Sequence, residues 1–165
     1  LMGSMQYAKS CEKRKDPIDF MVCLEMLGFG GRWVKQSYPF EDMRRNYPSS
    51  GNFLAVVSLP SSSEFAYLWR NTWNTYSRKK ILDMIGPSSV PGISFFDHYS
   101  FNRHGFKSIM LTDTAFFRNT NYHTEKDTID TLNFRFLSYN IWYSYLTLLD
   151  IANREVLPNE KVPQA

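Results

Sequence analysis

A phenol and an imidazole stand side by side at Tyr122 and His123, inside the polar run Arg118-Asn119-Thr120-Asn121-Tyr122-His123-Thr124-Glu125-Lys126-Asp127-Thr128. On a loop, such a pair suits a metal site, with the imidazole as ligand and the phenol as donor to an oxyanion. Asp127 and Thr128 follow in a turn whose side chains can hydrogen-bond and fix the backbone. A second polar cluster, Asp97-His98, lies upstream in Phe96-Asp97-His98-Tyr99-Ser100-Phe101. Glu25 is the third candidate. It interrupts the apolar run Phe20-Met21-Val22-Cys23-Leu24-Glu25-Met26-Leu27, and a carboxylate in a buried strand is costly unless it is paired or bound to metal. His104, before Gly105 in a turn, reads as a surface residue.

These groups need a scaffold, and the sequence supplies alternating strands and helices. Residues 1–13 read as the tail of a helix, which Pro17 breaks. The run at residues 20–27 reads as a strand apolar on both faces, the pattern of a strand inside an α/β sheet rather than at its edge. Gly28, Gly30 and Gly31 mark a loop, and the stretch from Trp33 to Gly51 is irregular and aromatic, suited to lining a cleft. Residues 53–59 form a second buried strand. Ser61-Ser62-Ser63-Glu64 opens a helix in which Phe65, Leu68, Trp69, Thr72, Trp73 and Tyr76 share one face, with its end expected near residues 82–86. Residues 108–111 form a third strand after the Gly105 turn. The last helix opens at Asn133 as N-cap, with Leu132 and Leu137 placed as a hydrophobic staple, and runs to about Asn153. The tail with Pro158 and Pro163 is expected to fray. The pattern is α/β, one sheet with helices packed on it.

The chain has 165 residues, 43% of them apolar and 16% aromatic, which fits one globular domain. A net charge of +3 with scattered basic residues excludes an extended nucleic-acid surface. The compact run Lys13-Arg14-Lys15 reads as a solvated helix end. Cys11 and Cys23 read as free thiols, Cys23 inside a strand. No apolar run reaches the ~18 residues needed to span a bilayer.

Taken in order, several motifs resemble peptidase family M28. Asp97-His98 is similar to the family's Ser-Asp-His element, with Phe96 in place of the serine, and Tyr122-His123-Thr124 with Asp127-Thr128 is similar to its Tyr-His-Thr-x-x-Asp-Thr. Gln36-Ser37-Tyr38-Pro39, Tyr47-Pro48 and Gly51-Asn52-Phe53-Leu54-Ala55 match further elements in the same order. Leu24-Glu25-Met26-Leu27-Gly28 resembles a Leu-Asp-Met-Ile-Gly strand, with glutamate for aspartate. Leu1-Met2-Gly3-Ser4 resembles the helix start that follows the family's paired glutamates.

The resemblance implies a mixed, mostly parallel sheet flanked by helices, of the zinc-exopeptidase or phosphorylase/hydrolase-like kind. It implies a zinc-dependent aminopeptidase acting on peptide substrates. In that reading His123 and Glu25 are metal ligands and Tyr122 is the oxyanion donor. Asp97 and His98 buttress the cleft, His98 by hydrogen bonding behind the ligands, and Arg118 and Asn119 either orient a substrate carbonyl or hold the loop. The family's His-x-Asp element and Glu-Glu pair, which carries the general base, do not occur in these 165 residues. Residues 1–157 are therefore expected to be the C-terminal part of an M28 domain, followed by a tail at 158–165. Two zinc ions belong to the complete enzyme, with weak or no binding expected in this segment. The expected partner is an upstream half of the same domain, or a second copy joined through the same surface. The resemblance also favours a secreted or extracytoplasmic location. Two alternatives share the fold: a glutaminyl cyclase, whose relatives carry Trp-His where this chain has Tyr122-His123, and a non-catalytic peptidase-like interaction domain.

Overall fold

The structure, a computed structural model, describes residues 1–79 and 81–154. The expected tail at 158–165, and the boundary at residue 157, lie outside the described residues. Four strands form one sheet: β1 (Met21–Glu25), β2 (Ala55–Ser58), β3 (Leu82–Ile85) and β4 (Ser108–Thr112), in the spatial order β1-β4-β2-β3. β1 pairs with β4 and β2 with β3 in parallel, while β2 and β4 run antiparallel, so the sheet is mixed and mostly parallel. Five α-helices accompany it: α1 (Met2–Arg14), α2 (Glu41–Asn46), α3 (Ser63–Tyr76), α4 (Asp97–Arg103) and α5 (Phe134–Ala152).

Strand alternation divides the core into two layers. Val56, Ile109 and Leu111 face α3 and α5, where Phe65, Trp69, Trp73 and Ile151 close over them. Cys23, Ala55, Val57 and Met110 face the opposite side, against Phe53 and Ile93. On that side α4 packs on β1 and β4, and α1 packs on α4. A Ser4–Ser100 hydroxyl contact of 2.8 Å joins the two helices, and His104 Nδ1 lies 2.7 Å from the Glu12 carboxylate. His104 is thus a surface pairing residue. Cys11 and Cys23 are both buried and free. At the end of α1, Lys15 adopts the left-handed cap conformation and Arg14 pairs with Asp16 at 2.6 Å.

Helix α5 begins as its sequence dictates: the Asn133 side chain accepts the Phe136 backbone N–H at 3.0 Å. Leu132 and Leu137 both lie against Gly28. Gly30 sits still closer to this helix, and a Cβ there would fall 2.5 Å from the Phe136 ring. Phe136 is only 4% exposed and cannot swing away. Gly30→Ala is expected to lower stability by roughly 1–3 kcal/mol through this overpacking, measurable as a reduced urea midpoint at unchanged m-value.

Two expectations need correction. Helix α3 stops at Tyr76 rather than near residues 82–86, and Leu82–Ile85 is the strand β3. Its four residues carry no periodicity that separates a strand from a helix end; pairing with β2 decides the matter. The Asp97 cluster, to which the sequence assigned no secondary structure, opens the helix α4. The strand β1 is at the edge of the sheet among the described residues, and Leu24 is 59% exposed. An apolar run predicts that both faces can be buried, but not that this chain supplies the cover.

Candidate functional site

The candidate side chains come together at the C-terminal ends of β1 and β4. Glu25, the last residue of β1, pairs in register with Thr112, the last of β4. It points to the same side of the sheet as Cys23 and is half-buried. Burial raises the Glu25 pKa, the Asp97 charge adds to that, and His123 opposes it. Asp97 and His123 therefore each lie within electrostatic reach of Glu25. Burial likewise lifts the Cys23 thiol to about 11, which leaves it protonated and unreactive.

Tyr122 and His123 sit on the loop between β4 and α5. Their rings stack at 3.9 Å with an interplanar angle of 16°. His123 is exposed and takes a positive φ of 59°, a conformation that His tolerates better than most residues. Burial, followed by the charges of Glu25 and Asp127, raises the Tyr122 phenol above its ordinary value. The phenol stays protonated at neutral pH and can donate a hydrogen bond.

The remaining predicted residues take different places. Asp97 is exposed at the first turn of α4. His98, the candidate for hydrogen bonding behind the ligands, is fully buried, and neither ring nitrogen meets a hydrogen-bond partner of good geometry among the described residues. Burial depresses its pKa to about 4, so the ring is neutral. Arg118 and Asn119 are 5% and 1% exposed, and both hold the loop. Arg118 Nε donates to Gln36 Oε1 at 2.9 Å, Nη1 donates to the Phe53 carbonyl at 3.1 Å, and the guanidinium lies 4.6 Å over the Phe53 ring. Burial lowers its pKa to about 10, with Asp113 opposing, and it remains a cation. Asn119 Nδ2 donates to Asp127 Oδ1 at 2.9 Å, and its Oδ1 accepts the Asn121 N–H at 2.9 Å.

Sequence reasoning passed over Asp113. This carboxylate is fully buried, and burial pushes it up to about 7. Two backbone N–H groups and Arg118 oppose that shift. The argument that singled out Glu25, a carboxylate attached to a buried apolar strand, applies equally to Asp113 at the end of β4.

An apolar cavity of about 210 Å³ opens on the same side of the sheet. Tyr38, Met43, Tyr47, Met84, Phe96 and Phe116 form much of its wall, and among the described residues no charged side chain lines it. It adjoins the site at two points: Thr112, the register partner of Glu25, lines it, and the Phe116 ring lies 5.8 Å from that of Tyr122. The loop from Trp33 to Tyr47 was expected to shape such a pocket. Its later part does, whereas Trp33 is 96% exposed and lies outside.

As metal donors, Glu25 and His123 have suitable chemistry and share one end of the sheet. No group of three His, Cys, Asp or Glu side chains that could hold an ion occurs among the described residues. The pair fits part of a zinc site.

The family model for peptidase family M28 matches residues 1–142. The chain belongs to peptidase family M28. Among curated proteins this M28 chain is 36% identical over 135 residues to the uncharacterized protein YfbL of Escherichia coli K12, covering 81% of the chain and 41% of YfbL. Among solved structures it resembles the LapA aminopeptidase of Legionella pneumophila, with a TM-score of 0.68 and 15% identity over 92% of the chain and 36% of LapA. A second LapA structure gives a TM-score of 0.66, with 37% of that chain covered. The M28 chain thus spans about two fifths of the curated relative it matches.

Proposed function

We propose that this chain is the C-terminal portion of a zinc-dependent aminopeptidase. One observation carries the reading: Tyr122, His123 and Glu25 are gathered near the ends of β1 and β4, beside an apolar cavity that Thr112 and Phe116 line. Family membership and the aminopeptidase fold of LapA support it. Glu25 and His123 would hold zinc together with donors from elsewhere in the full-length enzyme. Zinc, when bound, lowers the pKa of a water and polarises the substrate carbonyl.

This chain's own residues would do the rest. The Tyr122 phenol, protonated, would donate to the oxygen of the substrate carbonyl as negative charge develops there. The stacked His123 ring holds that phenol in place. The cavity beyond Phe116 would take the side chain of the substrate's first residue. Its walls make burial of a charged group costly and of an apolar one favourable. The Asp97 carboxylate, at the exposed start of α4, acts on Glu25 through its charge and would add negative charge beside it, which suits both a cation and a substrate ammonium group.

The test is an assay of the full-length enzyme on aminoacyl arylamides. Leucine and phenylalanine derivatives should be cleaved at least ~10-fold faster than lysine or glutamate derivatives, and removal of zinc by a chelator should abolish the activity. Activity that survives complete zinc removal would overturn the zinc reading. Cyclisation of an N-terminal glutamine without hydrolysis would point to the glutaminyl cyclase alternative.

A further inference from the structure

Among the described residues, backbone strain is concentrated in the two loops that carry the site. Outside the α1 cap, the non-glycine residues with positive φ among the described residues are Met26 (52°), Thr114 (78°), Ala115 (47°) and His123 (59°). Met26 directly follows Glu25, and the other three lie on the loop that carries Tyr122. Each is an unfavourable backbone conformation that persists only where surrounding contacts enforce it. Thr114 is β-branched, so its left-handed conformation is especially unfavourable.

The Asp113 side chain joins these two loops. Its Oδ2 accepts the Phe29 N–H at 2.7 Å, from the loop after β1, and its Oδ1 accepts the Ala115 N–H at 3.0 Å, from the loop after β4. Its own backbone N–H donates to the Met26 carbonyl at 2.6 Å. From Ala115 the chain of bonds runs on to the candidate oxyanion donor. The Ala115 carbonyl accepts the Asn119 N–H at 2.8 Å, and the Asn119 carbonyl accepts the Tyr122 N–H at 3.2 Å. A second brace steadies Thr114, whose hydroxyl lies 2.9 and 3.1 Å from the two ends of the Gln36 amide.

We infer that Asp113 is a positioning residue: its carboxylate clasps the loops after β1 and β4 in their strained conformations and so sets Tyr122 and His123 opposite Glu25. The inference rests on the proposed function for its catalytic consequence, but its structural content does not depend on activity. An amide in place of the carboxylate keeps the volume and removes half of the clasp. One oxygen can still accept an N–H, whereas the –NH2 group confronts the other donor.

The experiment compares the full-length enzyme with its Asp113→Asn variant, using hydrogen exchange and steady-state kinetics. In the wild type, the amides of Phe29 and Ala115 should exchange as slowly as those of β4. In the variant, exchange in residues 27–30 and 114–123 should rise by about tenfold or more, the equivalent of losing one hydrogen bond to a charged acceptor, while α1 and α5 are unchanged. kcat should fall by up to ~100-fold with KM nearly constant, as expected when a catalytic group is displaced by an ångström. Fast exchange at Phe29 and Ala115 in the wild type would overturn the inference even if the variant failed to fold. So would a uniform rise across the whole chain, which marks general destabilisation. A wild type inactive on peptides, with the local exchange pattern intact, would sink the aminopeptidase reading and leave the clasp standing.

Discussion

Replacing Tyr122 by Phe in the full-length enzyme is expected to lower kcat by about 10²–10³ with little change in KM, the usual loss for one oxyanion donor. The structure makes this substitution clean. Tyr122 stacks on His123 through its ring face, at 3.9 Å, and meets Phe116 through its ring as well. Phenylalanine keeps both contacts and removes the hydroxyl alone. His123→Ala should act differently, reducing the zinc retained after dialysis and lowering activity through the lost metal. Steady-state kinetics on one arylamide, with metal content measured in parallel, separates the two roles. If Tyr122→Phe turned over as fast as wild type, Tyr122 would be no more than an aromatic wall beside the ligand.

The isolated 165-residue chain should not be a well-behaved monomer. β1 bonds only to β4 among the described residues, which leaves the N–H and C=O groups of its other edge open to a further strand. On the same face as Val22, Leu24 is 59% exposed. Above this edge, α5 turns an apolar arc away from α3: Ile141, Trp142, Tyr145, Leu148 and Leu149 are 44–54% exposed. Helical spacing puts these five side chains on one continuous surface. A patch of this kind marks an interaction surface. Alone, the chain is expected to sediment as dimers or larger species, and Leu24→Lys combined with Trp142→Glu should shift it toward monomer. Joined to the upstream half of the domain, it should be covered and cease to associate. A soluble, monodisperse 165-residue monomer that unfolds cooperatively would show that the sheet needs no further cover.

The parts of this protein that depend on near neighbours in the chain could be read without coordinates. Asn133 caps α5 because its side chain reaches an N–H only three residues on. The apolar runs that became β1, β2 and β4 announce burial by composition alone, and the i, i+3, i+4 recurrence in α3 announces a helix face. The ordered motifs around Glu25, Gln36 and Tyr122-His123 resembled the family to which the chain belongs. What depends on distant partners stayed hidden. β3 is a strand because β2 offers its edge, and nothing in Leu82-Asp83-Met84-Ile85 says so. The antiparallel pairing of β2 with β4, the exposed position of β1 and the cavity behind Phe116 arise from how the elements stack. Arg118 and Asn119 could equally have faced a substrate; only their buried contacts with Gln36, Phe53 and Asp127 made them loop supports. Asp113 is the sharpest case, since its meaning lies in an N–H 84 residues away. A sequence records which groups can make such bonds. Which of them meet is decided by the tertiary fold, where burial makes each unpaired polar group costly and leaves few arrangements that satisfy them all.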